Sequence, residues 1–208
     1  MEEQGQELQL RVEGVGVLRI SLIDGSAVGL TEILDKVTGH QALQVAQMTN
    51  TAGEAFERAG NFVAAVKAYA VSCQLAGKSG DRLNTAAIMI NLGLALKKAE
   101  RFDDALEIYN KASGLLQQPE EAPDAEGRRT GLLACVLMNT ALLALAMGTP
   151  LDAERAANWC LDLVRYLDDD ASKSMAARCN AVLQDAERTR QKAPPAASLV
   201  VQSRSSEK

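Results

Sequence analysis

The sequence predicts an all-α fold: a right-handed superhelical stack of antiparallel helix pairs closed by a C-terminal capping helix. Three observations carry that prediction. Aromatic residues make up only 3% of the 208 residues, while Ala alone contributes 34. Such a composition suits closely packed helices better than a sandwich or barrel. Gly, Asp and Pro punctuate the region from about residue 41 to 190 at helix-length intervals. Most decisively, one set of small and aromatic residues recurs at a fixed offset.

Residues 1–38 form an N-terminal arm. Leu8 to Ile23 (LQLRVEGVGVLRISLI) alternates partially and ends in Asp24-Gly25-Ser26. That pattern suits either a strand pair or an irregular apolar arm lying on the body. The arm is favoured, because a lone hairpin is marginal in water. A short helix is expected from Thr31 to Val37.

Residues 39–190 read as a helical repeat domain. Gln41 to Ala59 is free of Pro, and Gly60-Asn61 then opens a second segment at Phe62. Ser79-Gly80-Asp81 punctuates again, with Asp81 placed to cap a helix running to about Ala99. Arg101-Phe102-Asp103 starts the next helix, which Pro119 ends. The loop to Pro123 leads into a helix from about Ala125 to Met147, stopped by Gly148-Thr149-Pro150. Leu151 to Leu167 and Ala171 to Arg190, with Asp170 as N-cap, complete seven helices joined mostly by short loops. Residues 191–208, with Pro194, Pro195 and four serines, have few large apolar groups and read as a disordered tail.

Charge and composition narrow the chemistry. The net charge of −5 argues against nucleic acid or an anionic membrane as partner. The longest apolar run, Leu132 to Met147, is broken by Asn139 and Thr140 and reads as a buried helix, not a membrane span. Cys73, Cys135, Cys160 and Cys179 lack the close spacing of a zinc site. They read as buried free thiols of a cytoplasmic protein. His40 is the single histidine and, at the entrance to the first helix, reads as an exposed or capping residue; no Ser–His–Asp set, His-based metal cluster or Gly-rich phosphate loop is evident. Asp168-Asp169-Asp170, Glu2-Glu3 and Glu120-Glu121 read as solvated acidic surface. The chain reads as non-enzymatic, with no metal or cofactor expected; the enzyme alternative, a hydrolase or transferase, would require a polar cleft holding paired titratable groups.

Gly53, Ala59, Phe62, Ala65, Tyr69 and Leu75 each return 40 residues later as Gly93, Ala99, Phe102, Ala105, Tyr109 and Leu115. Small residues at Gly53 and Gly93 permit close approach of one helix of a pair to the other. Ala65 and Ala105 supply the matching small contact. Tyr69 and Tyr109, one helical turn further on, fill the space on the same face. A third, degraded copy lies 48 residues on: Asn139 after Asn91, Ala141 after Gly93, Ala153 after Ala105. Ala157 stands where the tyrosine would be, and Trp159, Leu163 and Tyr166 supply bulk elsewhere. Each pair has two apolar faces and needs neighbours to bury them.

This pattern resembles the tetratricopeptide repeat. Gly53-x-x-Phe56 and Gly93-x-x-Leu96 meet the small-x-x-large signature of its first helix. Ala65, Tyr69 and Ser72, then Ala105, Tyr109 and Ala112, meet the signature of its second. The period departs from the family's usual 34 residues or so. It is similar to the roughly 40-residue repeats of kinesin light chains and of the polarity adaptors that bind G-protein regulators. The stretch Ala76 to Arg82, leading to Asn91-Leu92-Gly93, is especially like those adaptors.

The resemblance implies a TPR-like α-solenoid whose first helices line a concave groove. It places Gln47, Asn50, Glu54 and Glu57 there in the first unit. In the second it places Ala87, Ile90, Asn91, Leu94, Lys97 and Lys98, and in the third Cys135, Met138, Asn139, Leu142 and Leu145. Asn91 and Asn139 are the expected holders of a ligand backbone, since an amide both donates and accepts; bonding locally between helices is the competing reading. Asn91 coincides with the asparagine by which chaperone-tail-binding repeats hold a terminal carboxylate. The companion positions, Asn50, Glu54, Cys135 and Asn139, do not complete that clamp, and Glu54 would repel a carboxylate. The expected function is a non-catalytic adaptor or scaffold, binding a peptide or helix of another protein. Acidic flanks would be favoured by Lys97 and Lys98. The alternative is a structural subunit of a larger assembly, cytoskeletal or ciliary, with the groove blocked by residues 1–38. Homo-oligomerisation fits either reading.

Overall fold

The computed structural model describes residues 7–119, 123–165 and 169–192. The expected tail beyond Lys192, together with Glu2, Glu3, Glu120, Glu121, Tyr166 and Asp168, lies outside them. The chain opens with β1 (Glu7–Val12), β2 (Gly16–Ser21) and β3 (Ala27–Val28), followed by α1 (Leu30–Lys36). The body is α2 (Gly39–Arg58), α3 (Phe62–Ser79), α4 (Arg82–Lys98), α5 (Phe102–Leu115), α6 (Pro123–Ala146), α7 (Pro150–Val164) and α8 (Asp170–Lys192).

The irregular arm expected at the N-terminus is replaced by a three-stranded antiparallel sheet in the order β1-β2-β3. β1 pairs with β2 from Glu7↔Ser21 to Val12↔Gly16. The hairpin escapes the fate of an isolated one because its inner face is covered. Leu10, Val12, Leu18 and Ile20 join the main core, with Ile33 and Val37 from and beside α1. The loop after β2 is fastened to α3: Asn61 Nδ2 donates to the Ile23 carbonyl (3.1 Å) and Lys67 pairs with Asp24 (2.8 Å). The Lys67 ammonium and the Ser26 groups hold the Asp24 carboxyl well below the usual carboxylate range. Gly25 lies so close to α3 that a Cβ there would stand 2.4 Å from the Ala64 carbonyl oxygen.

The helices form antiparallel pairs, α2 with α3, α4 with α5 and α6 with α7, stacked in order. The first helices also touch along the stack, α2 to α4, α4 to α6 and α6 to α8, and so build one continuous wall. Asn61 and Asp81 cap α3 and α4 by accepting from the Ala64 and Asn84 amides. At α8 the cap is Asp169, which accepts from the Ser172 amide (2.8 Å), so the expected Asp170 is displaced by one residue. By length and mean hydropathy α6 would suffice to cross a membrane. Here it is the central helix of the body, packed by α4, α5, α7 and α8.

The internal repeat is visible as recurring geometry. Each first helix ends in a left-handed residue: Gly60 (φ 75°), Glu100 (φ 59°) and Gly148 (φ 73°). In each unit the following amide then closes back onto the helix over the same distance. Asn61 bonds Phe56, Arg101 bonds Leu96 and Thr149 bonds Ala144, all at 2.9 Å. These are Schellman closures, and a left-handed residue is what permits them. Between helices, Ser72 Oγ donates to the Ala46 carbonyl and Cys160 Sγ to the Ala134 carbonyl, both across 26 residues. The third unit, degraded as it is, therefore keeps the geometry of the first.

The tyrosines decide how closely the helices of the first two pairs approach. A Cβ on Gly53 would stand 2.6 Å from the Tyr69 ring, and one on Gly93 only 2.3 Å from that of Tyr109. Both rings are fully buried. In the third unit Ala141 occupies the glycine's place, and it can do so because Ala157 stands where the ring would be. Gly93→Ala should cost about 2 kcal/mol through overpacking. In urea titration, much of that loss should disappear when Tyr109 is also replaced by Ala. Glu100→Gly should stabilise by about 1 kcal/mol in the same assay, because it relieves a side chain held at positive φ.

Candidate functional site

The wall of first helices carries the expected groove residues, and the structure divides them. Ala87, Asn91, Leu94, Lys97, Cys135, Asn139, Leu142 and Leu145 are half-buried, and Lys98 is exposed. Ile90 and Met138 are corrections: they are 8% and 1% exposed and belong to the core. The reason is the central position of α4 and α6. Each is flanked by helices on several sides, so side chains assigned to the groove by position are shared with interhelical packing. Phe56, Ala65, Leu96 and Ala105 are buried within the pairs, while Phe62 and Phe102 are half-buried against them.

Polar groups along the wall are partly spent on one another. Asn91 Nδ2 donates to Asn50 Oδ1 (3.1 Å), and Asn50 Nδ2 donates to Glu54 Oε1 (2.7 Å). Asn91 thus joins α2 to α4, and one of its amide protons is committed to a helix–helix contact. Lys98 is committed too: it pairs with Glu57 and lies 5.7 Å from the centroid of the Phe62 ring. Tyr69 donates its hydroxyl to the other Glu57 oxygen at 2.9 Å.

Two cations and one amide on this wall carry neither a hydrogen bond nor an ion pair among the described residues. They are Lys97 on α4, Arg178 on α8 and Asn139 on α6. Burial, with the positive charge of Arg178, lowers the pKa of the Lys97 ammonium. Arg178 also acts on the thiols of Cys135, Cys160 and Cys179. Its charge therefore bears on the same strip of wall as Lys97. Arg178 was missed from sequence because it sits in a helix that the repeat pattern treats as a terminus.

The cysteines are unpaired, and burial raises all four thiols, Cys73 to about 12. Thiolate chemistry at neutral pH has no support in that arrangement. Among the described residues, no group of three or more His, Cys, Asp or Glu side chains is placed to hold a metal.

With stacked pairs, the glycine–tyrosine contacts and the continuous inner wall in place, comparison with known families is informative. A family model described as tetratricopeptide repeat matches residues 44–118. Residues 44–118 are a tetratricopeptide repeat domain. The match covers the first two helix pairs, and the third pair is tied to them by the turn and hydrogen-bond geometry above. Among curated proteins, none matches the chain. Tetratricopeptide repeats generally mediate protein–protein contacts, and residues 44–118 are consistent with such an interaction role.

The two repeat tyrosines differ in one testable respect. Glu57, which accepts from Tyr69, is answered 40 residues on by Lys97, a donor. The Tyr109 hydroxyl is left buried without a hydrogen-bond partner, and burial raises its pKa. Tyr69→Phe should therefore destabilise the fold by about 1 kcal/mol. Tyr109→Phe should be neutral or slightly stabilising, because it removes an unsatisfied hydroxyl. Chemical denaturation of the two variants side by side checks the contrast.

Proposed function

We propose that the protein is a cytoplasmic adaptor that binds an extended acidic segment of another protein along the wall formed by α4, α6 and α8. The observation that carries the reading is the set of unpaired polar groups on that wall: Lys97, Arg178 and the Asn139 amide. An extended peptide could satisfy the amide with its backbone and the cations with carboxylates. Leu94, Leu142 and Leu145, all half-buried, supply apolar contact beside them. Lys98, assigned to acidic flanks by its position, is held by Glu57, and Arg178 takes over that role. In this reading α8 serves both as the cap of the stack and as the last strip of the binding wall. The N-terminal sheet packs chiefly on α2 and α3, which favours an open groove over one filled by residues 1–38. Four free thiols suit a reducing compartment.

A second reading, a structural subunit of a larger assembly that uses its outer face, has one observation in its favour. Between α5, α6 and α7 lies a cleft of about 460 Å³, floored by Val136 and Leu137 and edged by the half-exposed Trp159. The two readings separate in a displayed-peptide selection against the whole chain, followed by fluorescence anisotropy on the enriched peptides. The groove reading expects sequences rich in Asp and Glu. Lys97→Glu or Arg178→Glu should each weaken them about tenfold, as loss of one well-placed charge pair would. Asn139→Ala should weaken binding without changing its salt dependence. Peptides that ignore these variants but shift the Trp159 emission would overturn it in favour of the outer cleft.

A further inference from the structure

The sheet that opens the chain ends in an unpaired strand. β1 is hydrogen-bonded to β2 on one side, and among the described residues nothing is bonded to its other edge. Between the inner face of the sheet and α2 lies an apolar groove of about 510 Å³, formed by Leu8, Leu10 and Leu22 with Met48, Ala55 and Phe56. Leu22 and Met48 are 43% and 50% exposed, unusually open for side chains of their size. An open edge is a template for another strand, and proteins ordinarily blunt such edges.

The residues of β1 specify which strand. Its outer face reads Glu7, Gln9, Arg11, and its inner face Leu8, Leu10, Val12. An antiparallel copy centred on Gln9 sets Glu7 opposite Arg11 of the second chain, and Arg11 opposite its Glu7. Leu8 and Leu10 then lie opposite Leu10 and Leu8 on the inner face. Neither Glu7 nor Arg11 has an ion-pair partner within its own chain among the described residues. Registers centred on Glu7 or on Arg11 would place like charges directly opposite one another. The strand is thus self-complementary in charge and apolar content in one antiparallel register, as a twofold interface requires.

We propose that the chain forms a twofold dimer by antiparallel pairing of two β1 strands about Gln9, joining the two sheets into one of six strands. The joint lies at the first unit of the stack, apart from the wall of α4, α6 and α8, so both grooves stay available in the dimer.

Sedimentation equilibrium of the full chain tests the proposal. The wild type should be dimeric. Glu7→Arg and Arg11→Glu should each raise the dissociation constant about tenfold, since two attractive cross-strand pairs become repulsive. The double reversal E7R/R11E should restore the dimer, and so should mixing the two single variants, whose charges complement each other. Both positions are exposed, and circular dichroism melts report whether each variant is folded. Should any variant unfold, amide exchange of wild-type β1 decides instead. Protection of Gln9 and Arg11 that rises with protein concentration supports the pairing. A monomeric wild type, a dimer indifferent to both single reversals, folded reversals that do not rescue, or protection independent of concentration would each overturn it.

Discussion

The spacing within the first two helix pairs is governed by a ring lying on a glycine. Tyr69 on Gly53 and Tyr109 on Gly93 bring the helices so close that even a methyl group has no room. Apolar burial supplies the driving force, but it is non-directional and would accept many arrangements. The glycine–tyrosine contact selects one distance, and the left-handed turns after the first helices select one orientation. Together they turn a run of Ala-rich helices into a stack with a defined inner wall.

The wall follows from the stacking, and its chemistry follows from what the stacking leaves unpaired. In the first unit Glu57 serves Tyr69 and Lys98 at once, and Asn50 serves Glu54 and Asn91, so polar groups there are mutually satisfied. Further along, substitution of Glu57 by Lys97 at the equivalent position breaks that economy. It orphans the Tyr109 hydroxyl and presents an uncompensated cation beside Arg178. The change from a self-satisfied to an unsatisfied surface along one wall is what gives the proposed ligand a direction. Its acidic part belongs toward the α8 end.

Much of this was legible before any coordinates. The helices begin and end within a few residues of their Gly, Asp and Pro punctuation, and the 40-residue offset identified both tyrosine–glycine pairs. What escaped did so for physical reasons. The N-terminal sheet was hidden because its stability comes from cover by α1, α2 and α3, which no local pattern announces. Ile90 and Met138 were assigned to the groove by the resemblance's positional pattern, yet α4 and α6 are flanked on several sides and leave them little solvent. Asn91 was half anticipated: its amide does bond locally, to Asn50. Arg178 lay outside the repeat pattern altogether and became visible only when α8 was seen along the wall.

The third helix pair lacks the ring that locks the other two, with Ala141 and Ala157 meeting where Gly and Tyr meet elsewhere. In a solenoid each unit leans only on its neighbours, so local stability need not be uniform along the array. The sole tryptophan, Trp159, sits in that unit. Tryptophan emission will accordingly report on the third pair, not on the two tyrosine-locked pairs.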